Sequence, residues 1–219
     1  RILLYDEQSL GVVDVDNKVN LLENRTLFNV DSTLSPQGIG ARFFYLRRKT
    51  SGKIGVMTGA GTFDAPKELM ELPSAKATFK ASDGIFIHRN ELNANGQINS
   101  FLTFVDANGQ AAQEMGPFAF LEMRGVQKMG NVYALAVTTS PNRLNVAMLD
   151  IAAKSIRFLK GDAADSNPKW VMYGQGLYII SSNVWKVQPT KDSLSRLLPL
   201  KFYQNVRSFE QDKKLYVSY

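Results

Sequence analysis

The chain has 219 residues, 26 Lys or Arg against 20 Asp or Glu, one His, no Cys, and 44% hydrophobic side chains. That composition describes a folded chain with enough residues for a substantial core, and the missing thiols exclude disulfides, zinc–thiolate sites, iron–sulfur clusters and cysteine nucleophiles. No apolar run approaches the ~20 residues needed to span a bilayer as a helix, and the opening "RILLYDEQSL" lacks the charged-then-apolar layout of a signal peptide.

In chain order the first element is the alternating strand "LLYDE", which carries Tyr5. A second apolar run, "LGVVDVD" (10–16), a polar turn "DNK" and a third run, "KVNLL" (18–22), follow it. The acidic "DVDN" (14–17) imitates the start of a calcium loop. Lys18 at its fifth position and Arg25 at its twelfth, where a bidentate Glu belongs, make it an acidic hairpin turn instead. "NRT" (24–26) is a formal glycosylation sequon.

"RFFYLRR" restarts the aromatic strand at Tyr45 and runs into "LRRKTSGK" (46–53), which gathers Arg47, Arg48, Lys49 and Lys53 around one hairpin tip. Such a tip is suited to an acidic partner or a phosphate, and these four residues are the candidate binding site. "KIGVMTG" follows, then the glycine-rich "TGAGTFD" (58–64), which is neither a dinucleotide fingerprint nor a P-loop. "FDAPKELMELP" (63–73) reads as the best helix, with Asp64 as N-cap, Pro66 in the first turn and Pro73 as a stop.

"GIFIHR" supplies Phe86 and the lone His88, which has no second His or Cys with which to build a transition-metal site and belongs to the surface or the hub. After "SFLTFVD" (100–106), Asn108-Gly109 signals a tight hairpin with positive φ at both turn residues. "NVYALAV" (Tyr133), "NVAMLD" and "SIRFL" (155–159) repeat the pattern, as do "GLYIIS" (Tyr178), "NVWKVQP" and "SLSRLL" (193–198), and "KLYVSY" (Tyr216) starts it again. The aromatics are 40, 41, 47, 45 and 38 residues apart.

A strand-turn-strand unit recurring every 40–47 residues is the period of four-stranded β-propeller blades, and each blade must stack on its neighbours to bury both faces. The expected fold is all-β: one propeller domain over 1–219, partial or small. Its blades start near 1, 41, 83, 130 and 175, with a sixth first strand at 213. A β-sandwich, which also spaces short strands closely, is the alternative. Because the chain opens on Arg1 and ends within an aromatic strand, the repeat count leads to two expectations. Either it is a piece of a longer propeller, or its last strand closes a small ring against the first blade.

"LNVAMLDIAAKSIRFL" (144–159) and "FLTFVDANGQAAQEM" (101–115) resemble the blade shared by quinoprotein-like propellers and BamB-like outer-membrane assembly lipoproteins. That resemblance implies a non-catalytic binding scaffold, and no cofactor is expected. The residues themselves point the same way, since no repeat contributes a distinctive polar group at a matching position, and no catalytic or metal-binding set can be picked out. The six-charge excess falls entirely in 151–219, as dispersed single residues such as Lys154, Arg157, Lys160, Lys186 and Arg196. Dispersed charge disfavours nucleic acid and leaves an acidic partner open.

The leading expectation is therefore a protein-interaction scaffold in a larger assembly, periplasmic or extracellular. The rival is a propeller hydrolase or lyase acting on carbohydrate, with acids converging at the channel mouth.

Overall fold

The computed structural model describes residues 2–5, 9–13, 19–24, 36–60, 66–110, 112–141, 143–161, 169–173, 176–180, 183–199, 207–211 and 214–218. They fall into two compact units, Arg1–Pro117 and Phe118–Tyr219. Every sheet is an antiparallel meander in which each strand pairs with the next in sequence.

The first unit opens with β1 (Ile2–Tyr5), β2 (Ser9–Val13) and β3 (Val19–Asn24), a three-stranded sheet. A four-stranded sheet follows, made of β4 (Gln37–Ile39), β5 (Arg42–Arg48), β6 (Ile54–Ala60) and β7 (Lys67–Leu72). The next comprises β8 (Ala77–Ala81), β9 (Gly84–Leu92), β10 (Ile98–Asp106) and β11 (Ala112–Phe118). In the second unit, β12 (Glu122–Met129), β13 (Val132–Ser140), β14 (Arg143–Asp150) and β15 (Ser155–Phe158) form one four-stranded sheet. β16 (Lys169–Tyr173), β17 (Gly176–Ile180), β18 (Asn183–Gln188) and β19 (Ser193–Pro199) form another, and β20 (Arg207–Gln211) pairs with β21 (Lys214–Ser218).

The repeat is real, but its frame is shifted by one strand. Tyr45, Phe86, Tyr133 and Tyr178 lie on β5, β9, β13 and β17, the second strand of each four-stranded sheet. The strand before each has a weaker pattern: β8 reads "ATFKA", and β4 has only three residues. An edge strand gains less from apolar alternation than a central one, so its signal fades into the preceding loop.

The central strands read as unbroken apolar runs because both of their faces are covered, as in other doubly buried sheets. On one face of β5 and β6, Phe44, Leu46, Ile54 and Val56 pack with Ile39 and Leu72 against Ile85, Ile87 and Val105 of the next sheet. Each such side chain contributes ~1.5–3 kcal/mol on burial. On the other face, Phe43 stacks on Tyr45 with centroids 6.2 Å apart. A Cβ at residue 59 would stand 2.1 Å from the Phe43 ring, so only glycine fits there.

In the second unit, Ala134, Val146, Met148 and Leu159 pack on Leu177, Ile179, Val187 and Leu194. These two sheets are also joined through backbone. Lys160 donates to the Asp192 carbonyl at 2.7 Å and accepts from the Leu194 N–H at 3.0 Å.

Two local expectations are corrected. Residues 67–72 are strand β7, paired to β6 through Ile54↔Leu72 and Val56↔Met70, and not the second half of a helix. Six residues between Pro66 and Pro73 are too few for a stable helix, whereas the open edge of β6 satisfies their backbone groups. At Asn108-Gly109 only Gly109 takes positive φ (65°), with its N–H on the Asp106 carbonyl at 2.9 Å. The Asp106–Gly109 turn ends on a left-handed glycine, which the Asn-Gly pair supplies. The acidic turn at 14–17, Arg25 and Thr26 of the sequon, and 61–64 of the glycine-rich run lie outside the described residues.

Candidate functional site

The four cationic candidates do come together at the β5–β6 hairpin. Lys49 donates its N–H to the Lys53 carbonyl at 2.8 Å, and Gly52, at φ 81°, closes the turn on the Lys49 carbonyl. Two of the four charges are then taken up within the sheet. Lys49 Nζ donates to Glu68 Oε1 at 2.7 Å and to Glu71 Oε2 at 2.6 Å, and Lys53 Nζ lies 2.7 Å from Glu71 Oε1. Gly55 makes room for this arrangement, because a Cβ there would stand 2.9 Å from Glu68 Oε2. Hydrogen bonds from Lys49 and then Lys53 hold the Glu71 carboxyl below its ordinary range, and Glu68 followed by Glu71 raises Lys49. Arg47 is half-buried and Arg48 exposed. Lys49 and Lys53 are thus paired with Glu68 and Glu71, and Arg48 is exposed.

His88 is fully buried on β9 and is not a surface residue. It lies 3.1 Å from Ser100 Oγ through Nε2, and Ser100 Oγ donates to Asn90 Oδ1 at 3.0 Å. This chain of groups ties β9 to β10 on the buried face of the ribbon.

The opposite face of the ribbon carries an ion cluster that the sequence did not reveal. Arg89 is nearly buried and donates Nε and Nη2 to the two carboxylate oxygens of Glu114 on β11, each at 2.9 Å. It also contacts Glu91, and its guanidinium lies 4.0 Å from the centroid of the Phe101 ring, its cross-strand partner. The two oxygens and the fork match in geometry, which makes this pairing stronger than a lysine contact.

Past this cluster the ribbon ends in an exposed apolar pair. Leu92 is 73% exposed and Ile98 37%, directly across from each other. The polar loop between them is tightly built: Asn93 Oδ1 accepts from the Asn95 and Gln97 N–H groups, each at 2.9 Å. The signal available in the sequence was an Asn-Gly turn (95–96) with one apolar residue mirrored on each side. Leu197, 51% exposed, is the third large apolar side chain open to solvent among the described residues. It is the extra residue of the bulge between Val184↔Leu198 and Trp185↔Arg196. Trp170 and Trp185 pack with Ala136 and Leu144.

Among the described residues, no three His, Asp or Glu side chains converge so as to hold a metal ion, and no helix is long and apolar enough to cross a membrane.

No protein-family model matches the chain, and no curated protein matches it. Solved structures do. TolB from Acinetobacter baumannii is similar at a TM-score of 0.52 and 10% identity, over 95% of this chain and 56% of that one. A prolyl endopeptidase is similar at 0.56 and 8%, over 96% and 37%. A puromycin-hydrolyzing peptidase of Mycobacterium tuberculosis is similar at 0.51 and 15%, over 93% and 35%. This chain therefore spans about half of the first and just over a third of the other two. The likeness is one of fold. Together with the repeated four-stranded meanders, it makes this an all-β chain of the β-propeller class.

Proposed function

We propose that the chain is a non-catalytic interaction scaffold, a propeller or part of one that presents its hairpin tips to a protein partner in a larger assembly. The observation that carries this reading is how the sheet β8–β11 disposes of its polar groups. His88 and Ser100 are fully buried and bonded to one another, with Ser100 also bonded to Asn90. Arg89 is clamped by Glu114 and Glu91. What reaches solvent at the ribbon's end is shape and apolar surface, the material of contact. The resemblance of the repeat to BamB-like lipoproteins fits the same role.

At the β5–β6 tip, Arg48 is the residue that meets an acidic group on the partner. Arg47, Lys49 and Lys53 hold the hairpin that presents it.

The test is recovery of the tagged protein from its native cells with a photo-crosslinking residue in place of the exposed Thr50, beside Arg48. A stoichiometric cross-linked protein is expected, with the yield falling about tenfold in Arg48→Glu, the change expected from the loss of one favourable charge contact. A carbohydrate-cleavage panel run on the same preparation should stay at background. Cleavage of a polysaccharide by the purified protein would overturn the scaffold in favour of a hydrolase or lyase.

A further inference from the structure

The tetrapeptide Ala-Asn-Gly-Gln occurs twice in the chain, at 94–97 and at 107–110, and these hold its two Asn-Gly pairs. Asparagine before glycine is the most labile amide setting in a protein, because a residue without Cβ leaves the next main-chain nitrogen open to the asparagine side chain. Both copies close on the same turn. Gly96 and Gly109 take positive φ, 73° and 65°, and donate their N–H groups to the Asn93 and Asp106 carbonyls, each at 2.9 Å. Asn93 Oδ1 accepts from the Gln97 N–H at 2.9 Å, and Asp106 Oδ1 from the Gln110 N–H at 3.1 Å. Local sequence and local geometry are thus shared, so a difference in reactivity between the two must come from their surroundings.

Those surroundings differ. The second turn is packed against its neighbours. Gly109 is buried, a Cβ there would stand 3.0 Å from Thr58 Oγ1 on β6, and the Ala107 N–H donates to the Asp83 carbonyl at 2.8 Å. The first turn is the apex of the β9–β10 ribbon, and the register of β8 on β9 reaches no further than His88. Every residue from 94 to 98 is exposed, and a Cβ at Gly96 would meet nothing within 4 Å. The hydrogen bonds that close this turn run within 93–97. Opening it disturbs no packing, whereas opening the second turn pulls it off β6.

We propose that Asn95 is a site of spontaneous modification, converted to aspartyl and isoaspartyl residues while Asn108 in the same chain is spared. The step consumes only water. When the turn opens, the Gly96 nitrogen leaves the Asn93 carbonyl, gives its proton to solvent and bonds to Asn95 Cγ. The Cγ–Nδ2 bond breaks, and the amide nitrogen takes up a proton and departs as ammonia. Water then opens the five-membered imide at either carbonyl, giving aspartate or isoaspartate. The rate follows how often the turn opens, and exposed ends of elements open at the least cost.

The product alters the apex in two ways. A carboxylate replaces an amide in the loop between the exposed Leu92 and Ile98 and lowers the net charge of +6 by one. In the isoaspartyl form the main chain gains a methylene between residues 95 and 96, which puts the Gly96 and Gln97 bonds to Asn93 out of register.

The full chain is incubated in mildly alkaline buffer, folded and in parallel in urea. Both tetrapeptides are followed by proteolytic mass mapping, with methylation by an isoaspartyl-specific methyltransferase as the second readout. In the folded chain Asn95 should convert about tenfold faster than Asn108. In urea the two should convert at the same rate. Asn93→Ala, which removes the side-chain acceptor of the Asn95 and Gln97 N–H groups, should speed Asn95 about fivefold and leave Asn108 unchanged. Equal rates in the folded chain, faster conversion at Asn108, or an intact Asn95 when the urea sample is consumed would each overturn the inference. So would a tenfold gap that persists in urea, or an Asn95 rate indifferent to Asn93→Ala.

Discussion

Replacing Arg89 by methionine, which keeps the side-chain stem over Phe101 but removes the guanidinium, tests whether the projecting ribbon is held by its ion cluster. The charged hydrogen bonds to Glu114 contribute ~1.5–3 kcal/mol, and the loss of the ring contact adds up to ~2 kcal/mol for a desolvated cation. Against that, methionine has no charge to bury. Glu114 and Glu91 are 34% and 47% exposed, so water rehydrates them, and the ~3–5 kcal/mol for orphaning a fully buried ion does not apply. The net expectation is a loss of about 2 kcal/mol, read from urea unfolding with an unchanged denaturant slope. In a cycle with Glu114→Gln, the coupling should be ~1–2 kcal/mol, and amide exchange over residues 90–99 should quicken. A coupling within the ~0.5 kcal/mol scatter of independent sites would refute the argument.

Gly59→Ala places a methyl against the Phe43 ring and should cost ~1–3 kcal/mol by overpacking. Phe43→Leu in the same chain should recover part of it, both read by urea unfolding. By carboxyl NMR, Glu71 should titrate below the ordinary glutamate range and move up in Lys49→Met. Its folded value is depressed, so its stabilising contribution is present above the unfolded value and disappears as pH falls through the folded one. Burial pushes the Tyr45 phenol above its ordinary value. Ultraviolet titration should show a tyrosine that stays neutral after exposed ones ionise. Because the unfolded chain ionises first, stability should fall as pH rises past the ordinary tyrosine value.

The core strands were legible because a strand covered on both faces leaves a run that needs no partner to be recognised. "RFFYLRR", "SFLTFVD" and "NVAMLD" each fell within an observed strand. β7 was misread because "KELMEL" has the composition of a helix, and only the unfilled edge of β6 settles its conformation. The basic tip was legible as a cluster, but its charge was not. Glu68 and Glu71 stand 19 and 22 residues from Lys49 in sequence and within hydrogen-bonding distance of it in space.

By itself the sequence determined an all-β repeat of some 40–47 residues, because the spacing of aromatic strands is a local property of the chain. The tertiary structure alone decided that His88 is buried beside Ser100, that Arg89 is clamped by Glu114, and that β9 outruns β8. Register sets all three. Which groups meet across a sheet, and where a strand loses its neighbour, depend on pairing between segments that the chain brings together only on folding.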